Sequence, residues 1–356
     1  MCQRTSHRHS IFCILPPQIL RSIAERGTQQ QREAVLRTLS TDTTFRALRA
    51  SLAPAAGAPR RRRLPALEPR KQRTIYTANN LETLPGTVVR SEGSGPTGDA
   101  AVDEAYDGLG NTFDFYEQAY DRNSIDDEGL PLDATVHYGQ EYNNAFWNGQ
   151  RMVFGDGDGE LFNRFTISLD VIGHELTHGV TEDEAGLVYM FQPGALNESI
   201  SDVFGELVEQ MTLNQTAAQG DWLIGAGLFT ASVNGVALRS MKNPGTAYDD
   251  PVLGKDPQPG HMKDFVRTNQ DNGGVHINSG IPNRAFYLAA TAIGGYAWER
   301  AGRIWYEALR HPRLRPSARF RTFASLTVDV AGTLYGTGSS ERQAVRDAWT
   351  QVGIQV

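Results

Sequence analysis

The sequence predicts an α+β fold in two lobes, a β-rich N-terminal half and an α-helical C-terminal half, preceded by a small helical segment. Three observations lead there. Between about residues 74 and 165, short β-branched or aromatic runs alternate with Gly, Asn and Asp. After residue 194 the chain is mostly long stretches with apolar residues at helical spacing. At the junction lies one short helical stretch, DVIGHELTHGV (170–180), in which two histidines, a glutamate and an aspartate sit among Val, Ile and Leu.

Taken in order, the first 73 residues differ in kind from the rest. They hold 15 of the 34 Lys+Arg but 4 of the 41 Asp+Glu, so a basic piece precedes an acidic body in a chain of net charge −7. Opposite charges should draw the two parts together, an attraction that salt weakens. The arginines are scattered apart from Arg60–Arg63, so nucleic acid is not the expected partner. The apolar run Ile11–Leu15 is cut short by Pro16–Pro17, and no small-residue cleavage site follows, so no ordinary signal peptide is visible. Residues 1–52 then read as two helices, ILRSIAERG and QQREAVLRTLSTDTTFRALRASL. Gly27 is a stop between them, and Leu36, Leu39 and Phe45 an apolar side of the second. Residues 53–73 are rich in Pro, Ala and Arg without periodicity, an exposed linker that is easily cut, with processing expected within 60–75.

Residues 74–186 form the β-rich lobe, including the junction helix. Strands are expected in RTIYTANN, GTVVRSEG, ATVHYGQEY and RMVFGD, with a helix over GDAAVDEAYDGLGNTFDFYEQAY. Residues 187–356 form the helical lobe, with helices in NRAFYLAATAIGG, AWERAGRIWYEALRH, RFRTFASLTVDVAGTLYG and SERQAVRDAWTQVG. Such an arrangement leaves the junction helix in a cleft between lobes. Gly179, Gly186, Gly294 and Gly295 are candidate hinges there, or else tight contacts and caps. No run of eighteen apolar residues occurs, so no transmembrane helix and no membrane partner are expected. Cys2 and Cys13 are the two cysteines, so disulfides cannot hold the larger part together.

The junction helix carries the chemistry. At about 100° per residue, Leu169, Ile172, Leu176 and Val180 share one stripe, while His174 and His178 stack one turn apart on roughly the other side. Two imidazoles so placed can reach one metal ion. Glu175, offset by one residue, points beside the metal, where a general base for a metal-bound water belongs. A catalytic zinc needs a third protein ligand and an open position. The stretch GALNESISDVFGELVEQ (194–210) has an apolar face of Ile200, Val203, Phe204 and Leu207. Its other face carries Glu198, Asp202, Glu206 and Glu209. An acidic stripe is ordinarily a solvated surface. Beside the histidine helix, Glu198 becomes the third ligand, and Asp202, one turn on, an acceptor for the second N–H of a ligating histidine. Asn197 flanks Glu198 and belongs to the same outer group.

These residues resemble the thermolysin family of zinc metallopeptidases. The blocks NNAFWNGQRMVFGDGDG, HELTHGVTEDEAGLVY, GALNES, ALRSMKNP and DNGGVHINSGIPNRAFYLAA occur in the family's order, and the resemblance covers about residues 74–356. It implies the thermolysin-like two-domain fold and a zinc-dependent endopeptidase acting on proteins and peptides. By resemblance His174, His178 and Glu198 hold zinc, and Glu175 moves the proton. His276 and Tyr189 stabilise the oxyanion, with Asp271 orienting His276. Asn144 and the Ala145 backbone pair with the substrate strand, a β-augmentation mode. Arg239 bonds a substrate carbonyl, and Phe162, Phe165, Val171 and Leu238 wall a pocket for a large apolar side chain after the cut bond. Family members can also bind a pair of calcium ions. Here Leu223 and Ala226 stand where two of the acids would be, leaving Asp170, Glu209 and Asp221, enough for one ion at most with carbonyls and water.

The segment PPQIL with the two helices after it resembles the short propeptide of the protealysin branch of the family. That implies an intramolecular inhibitor over the cleft. Cys13 is then either a thiolate masking the metal or a buried core cysteine. His137 is read as structural, GDGDG (155–159) as a tight turn, and His261 and His311 receive no role. The rival to an endopeptidase is a non-catalytic metal- or partner-binding module of the same fold. Family members are mostly exported, so an extracellular location is expected, with the export route open.

Overall fold

A computed structural model describes residues 12–52 and 69–356. Cys2, Arg60–Arg63, most of the expected processing region and the Phe45 side chain lie outside the described residues.

The N-terminal part contributes strand β1 (Phe12–Cys13) and helices α1 (Pro17–Arg26) and α2 (Gln29–Leu52). The β-rich lobe follows with β2 (Arg73–Thr77), β3 (Thr87–Ser91), α3 (Ala100–Tyr120), β4 (Leu132–Val136), β5 (Ala145–Trp147), β6 (Arg151–Phe154) and α4 (Leu169–Glu184). After α5 (Phe191–Thr212) come four two-residue strands, β7 (Leu223–Ile224), β8 (Arg239–Ser240), β9 (Asp249–Asp250) and β10 (Gly254–Lys255). The helical lobe closes with α6 (Asp271–Asn278), α7 (Gly280–Ile293), α8 (Ala301–Leu309), α9 (Phe320–Tyr335) and α10 (Ser340–Gln351). Among the described residues no helix is long and apolar enough to cross a membrane.

One six-stranded sheet runs β1-β5-β6-β4-β2-β3. Its β1–β5, β5–β6 and β2–β3 pairs are antiparallel and its β6–β4 and β4–β2 pairs parallel. The outer strand β1 comes from the N-terminal segment, so this segment is built into the sheet and does not merely lie across it. Strands β1 and β5 were not among the expected strands; both are too short for a period-two signal.

The junction helix α4 is buried on nearly all sides, not on one face alone: Leu176, Val180, His174, Glu175 and His178 have no exposed surface. It crosses α5 at two glycines. A Cβ on Gly205 would lie 2.3 Å from the Asp170 carbonyl oxygen, and one on Gly173 would lie 3.0 Å from the Gly205 Cα. This close crossing lets side chains of two helices converge on one point. Of the candidate hinges, Gly179 serves a contact, since a Cβ there would sit 2.5 Å from Ile125 Cγ2.

The N-terminal helices dock by a different logic from the one expected. Leu36 is 57% exposed. The buried side of α2 is Gln31, Ala34, Val35, Thr38 and Asp42, with Leu39 partly covered. The buried polar residues there bond the body: Asn143 N donates to Thr38 Oγ1 at 3.0 Å, and the Tyr142 hydroxyl and Asn144 Nδ2 donate to Asp42 at 2.7 and 2.8 Å. Ile14, Leu15, Ile19, Leu20 and Ile23 enter the main hydrophobic core. Among the described residues the Arg37–Glu141 ion pair also joins the two parts, beside the apolar burial and the hydrogen bonds.

Candidate metal centre and substrate cleft

Helix α4 presents His174 and His178 one turn apart, and α5 presents Glu198 opposite them. The two Nε2 atoms are 3.1 Å apart, and lie 3.6 Å (His174) and 3.5 Å (His178) from the nearest Glu198 oxygens. Ligands on a tetrahedral zinc at bonds of about 2.0–2.1 Å are separated by about 3.3–3.4 Å. All three side chains are buried, and Glu198 Oε2 has no hydrogen-bond partner. A carboxylate oxygen held dry and unbonded among imidazoles is costly without a cation, so the residues present fit the metal.

Outer partners fix the imidazoles. His174 Nδ1 donates to Asp202 Oδ1 at 2.8 Å, and His178 Nδ1 lies 2.7 Å from Asn197 Oδ1 and 3.0 Å from Ser201 Oγ. With Nδ1 so engaged, each Nε2 turns its lone pair to the common centre. Asp202 also takes the Arg239 guanidinium at 2.7 and 2.9 Å and Asn283 Nδ2 at 2.8 Å. Burial alone would raise this carboxyl, but Arg239 and His174 outweigh it and hold it well below the usual carboxylate range. Ser201 and Asn283 were not singled out from the sequence, although Asn283 lies inside a block that was quoted.

Glu175 lies beside the three ligands, where one of its oxygens accepts the Trp147 amide at 3.1 Å and so ties the base to β5. His276 stands opposite. The run Asp271, Asn272, Gly273, Gly274 adopts positive φ throughout, a conformation these residue types tolerate best. It folds the Asp271 carboxylate back onto His276, whose backbone N–H and Nδ1 it accepts at 2.9 and 2.6 Å. His276 Nε2 is left facing inward, 3.3 Å from the Tyr189 hydroxyl, which bonds Glu198. Burial disfavours a charged His276, yet Asp271 and Glu198 more than offset it and raise its pKa.

The N-terminal segment fills the remaining space. Ile14 N donates to Ala145 O at 3.2 Å and Leu15 N to Asn144 Oδ1 at 3.0 Å. Arg239 Nη1 donates to Ile14 O at 3.2 Å, and His276 Nε2 to Cys13 O at 3.2 Å. Ile14 is fully buried in the same core cluster as Phe162, Phe165, Val171 and Leu238. The Cys13 thiol turns away. It packs with Ala78, Tyr138, Tyr142, Phe146 and Val153, a cluster separate from that of its neighbours Ala145 and Trp147 on β5. Side chains alternate across a strand, so the Cys13 sulfur lies with Phe146 on the face of the sheet opposite Ala145 and Trp147, while its carbonyl is taken by His276. The thiolate mask is therefore replaced by the buried-core alternative. Asp42, which the sequence reading passed over, orients Asn144 from the N-terminal segment itself.

A second acidic group brings Glu206, Glu209 and Asp221 together, and Asp170 of the expected trio lies near enough to repel Glu209 and Asp221. Asp170 spends its oxygens on Ser168 Oγ, Val171 N and Gly225 N. Burial, with repulsion from Asp170 and Asp221, pushes Glu209 up to about 8. Among the remaining histidines, His137 bridges Asp156 and Asp99 at 2.9 and 3.0 Å. His261 and His311 accept the backbone N–H groups of Lys263 and Arg313. In 155–159, Asp158 accepts three successive amides, those of Glu160, Leu161 and Phe162, and closes a turn.

Two family models match the chain: the catalytic domain of thermolysin metallopeptidases over residues 64–182 and their alpha-helical domain over residues 185–354. An "Extracellular metalloprotease" of Pectobacterium carotovorum subsp. carotovorum is 53% identical over 346 residues, 97% of either chain. "Protease PrtS" of a Photorhabdus species is 49% identical, covering 96% of this chain and 92% of that one. A solved structure, the "Precursor of Protealysin, Metalloproteinase from Serratia proteamaculans", superposes with a TM-score of 0.87 at 56% identity, covering 96% of this chain and 99% of that one.

Proposed function

The chain belongs to the thermolysin family of metallopeptidases, and from that premise we propose a zinc endopeptidase made as a zymogen, its own N-terminal segment lying in the substrate cleft as inhibitor. The observation that carries this reading is the pairing of β1 with β5 beside three converging metal-ligand side chains. Relatives named as extracellular proteases support an extracellular site of action.

A zinc ion on His174, His178 and Glu198 supplies, when bound, a Lewis acid that makes a nucleophile of water near neutral pH. The protein does the rest. An extended substrate adds to the β5 edge through Ala145 O and Asn144, and Arg239 donates to the carbonyl after the scissile bond. The pocket holding Ile14 takes a large apolar side chain at that position. Glu175 accepts the proton of the attacking water and returns it to the leaving nitrogen. His276 and Tyr189 donate to the oxyanion as charge develops, a contribution of about 3–4 kcal/mol per donor in comparable sites. Asp271 orients His276. A binding module without hydrolysis would have no use for this base and these donors.

The test is hydrolysis of an internally quenched peptide by zinc-loaded protein after trypsin has cut within 53–73, with Glu175→Gln alongside. We expect the nicked wild type to turn over, and Glu175→Gln to bind zinc equally but lose roughly 10²–10⁴ in rate. A nicked wild type that holds zinc and cuts nothing would return the binding module to first place.

A further inference from the structure

The N-terminal segment does more than block the cleft, because it presents one particular peptide bond. Four successive backbone groups are engaged: Cys13 O by His276, Ile14 N by Ala145 O, Ile14 O by Arg239 and Leu15 N by Asn144. The bond between Cys13 and Ile14 is thereby bracketed. On its carbonyl side, His276 Nε2 lies 3.5 Å from Glu198 Oε2 and 3.3 Å from the Tyr189 hydroxyl. On its nitrogen side, the Ile14 N–H is held by the strand whose Trp147 amide positions Glu175. A segment that only obstructed the cleft could run in either direction and in any register. This one places a carbonyl at the oxyanion donors and a fully buried Ile14 just after it.

Resting on the endopeptidase reading, we propose that the Cys13–Ile14 bond is itself a substrate of this site, cut within the same molecule. The hydroxyl of water adds to the Cys13 carbonyl carbon, and the C–N bond breaks. The proton taken by Glu175 goes to the Ile14 nitrogen, and the proton of the added hydroxyl follows it by the same carboxylate, so that the C–N bond leaves a Cys13 carboxylate and an Ile14 ammonium. Water is the one co-reactant.

This cut does not activate the enzyme. Leu15, Ile19, Leu20 and Ile23 stay anchored in the core, and Thr38 and Asp42 keep α2 docked. The piece beginning at Ile14 also remains joined through the linker, so its effective concentration at the cleft stays high. Loss of Phe12 and Cys13 bares the part of the β5 edge with which they pair. Latency ends only with a separate cut in the linker.

The experiment follows the full chain with zinc by denaturing intact mass and N-terminal sequencing, at several protein concentrations, beside Glu175→Gln. Expected is a chain beginning Ile-Leu-Pro-Pro that forms at a rate independent of concentration and at least a hundredfold slower in the variant. Each sample is also nicked in the linker with trypsin and assayed on the quenched peptide. Hydrolysis of that peptide while the 13–14 bond stays whole overturns this inference and leaves the endopeptidase standing. A cutting rate proportional to concentration overturns the intramolecular step. A nicked sample that is inert with zinc bound removes both readings together.

Discussion

At the residue scale, each ligating imidazole has a defined second bond, and that bond decides which nitrogen faces the metal. Asp202 serves His174 and Arg239 at once, so a single carboxylate ties the ligand set to the guanidinium that bonds the Ile14 carbonyl. The bond of Asp202 to a ligating histidine was legible in the sequence, because spacings of four residues on two helices leave few places for the side chains to go; its pairing with Arg239, which comes from a distant strand, was not. Asp42 was not legible. Nothing in its local pattern marks a helix position buried by hydrogen bonding to a distant strand. His137, read simply as structural, has a measurable consequence. Its bond to Asp156, helped by Asp99, raises it to about 9. A raised histidine stabilises the fold fully below its unfolded value of about 6.5 and loses that contribution as pH climbs through about 9. The side chain is 25% exposed, so solvent screening trims the effect to about 1–2 kcal/mol. Chemical denaturation of wild type and His137→Gln should therefore show a gap at pH 6 that closes by pH 10. A gap constant across that range would contradict the assignment.

At the element scale, the crossing of α4 and α5 makes the site, and glycine makes the crossing. Gly205→Ala puts a methyl group 2.3 Å from the Asp170 carbonyl and 3.0 Å from the His174 amide, both backbone atoms that cannot swing aside. Overpacking of this kind costs about 1–3 kcal/mol or more. The helices must separate, and His174 and His178 retreat from Glu198. We expect a lower thermal midpoint together with weaker zinc binding, read by calorimetry and by competition with a chromogenic chelator. Normal zinc affinity in the variant would show that the crossing does not set the ligand geometry. Most helices were legible from periodicity, α3 and α7–α10 among them. Strands β1 and β5, at two and three residues, were not, because their pairing comes from tertiary contact alone. The Leu36 side of α2 was misread for a related reason: a helix that docks through Thr38 and Asp42 need not bury its leucines.

At the scale of the whole molecule, one sheet is shared between the body and the N-terminal segment. The order β1-β5-β6 makes the N-terminal segment the edge strand, and the apolar residues from Ile14 to Ile23 continue the core of the body. Among the described residues, apolar burial and hydrogen bonds join the segment to the body beside the Arg37–Glu141 ion pair, while Arg60–Arg63 and the side chains of Arg46 and Arg49, which belong to the charge split of the sequence, lie outside them. The central claim is that cleft occupancy by residues 13–15 keeps the unprocessed chain silent. The most direct measurement is the initial rate of quenched-peptide hydrolysis by zinc-loaded protein whose linker is whole, as checked by mass, for wild type and Ile14→Asp. Burying a carboxylate where Ile14 lies is strongly unfavourable, so the segment should lift and the variant with its linker whole should be at least tenfold faster than the wild type in the same state. Equal rates, with both proteins folded and both responding to linker cleavage, would contradict it.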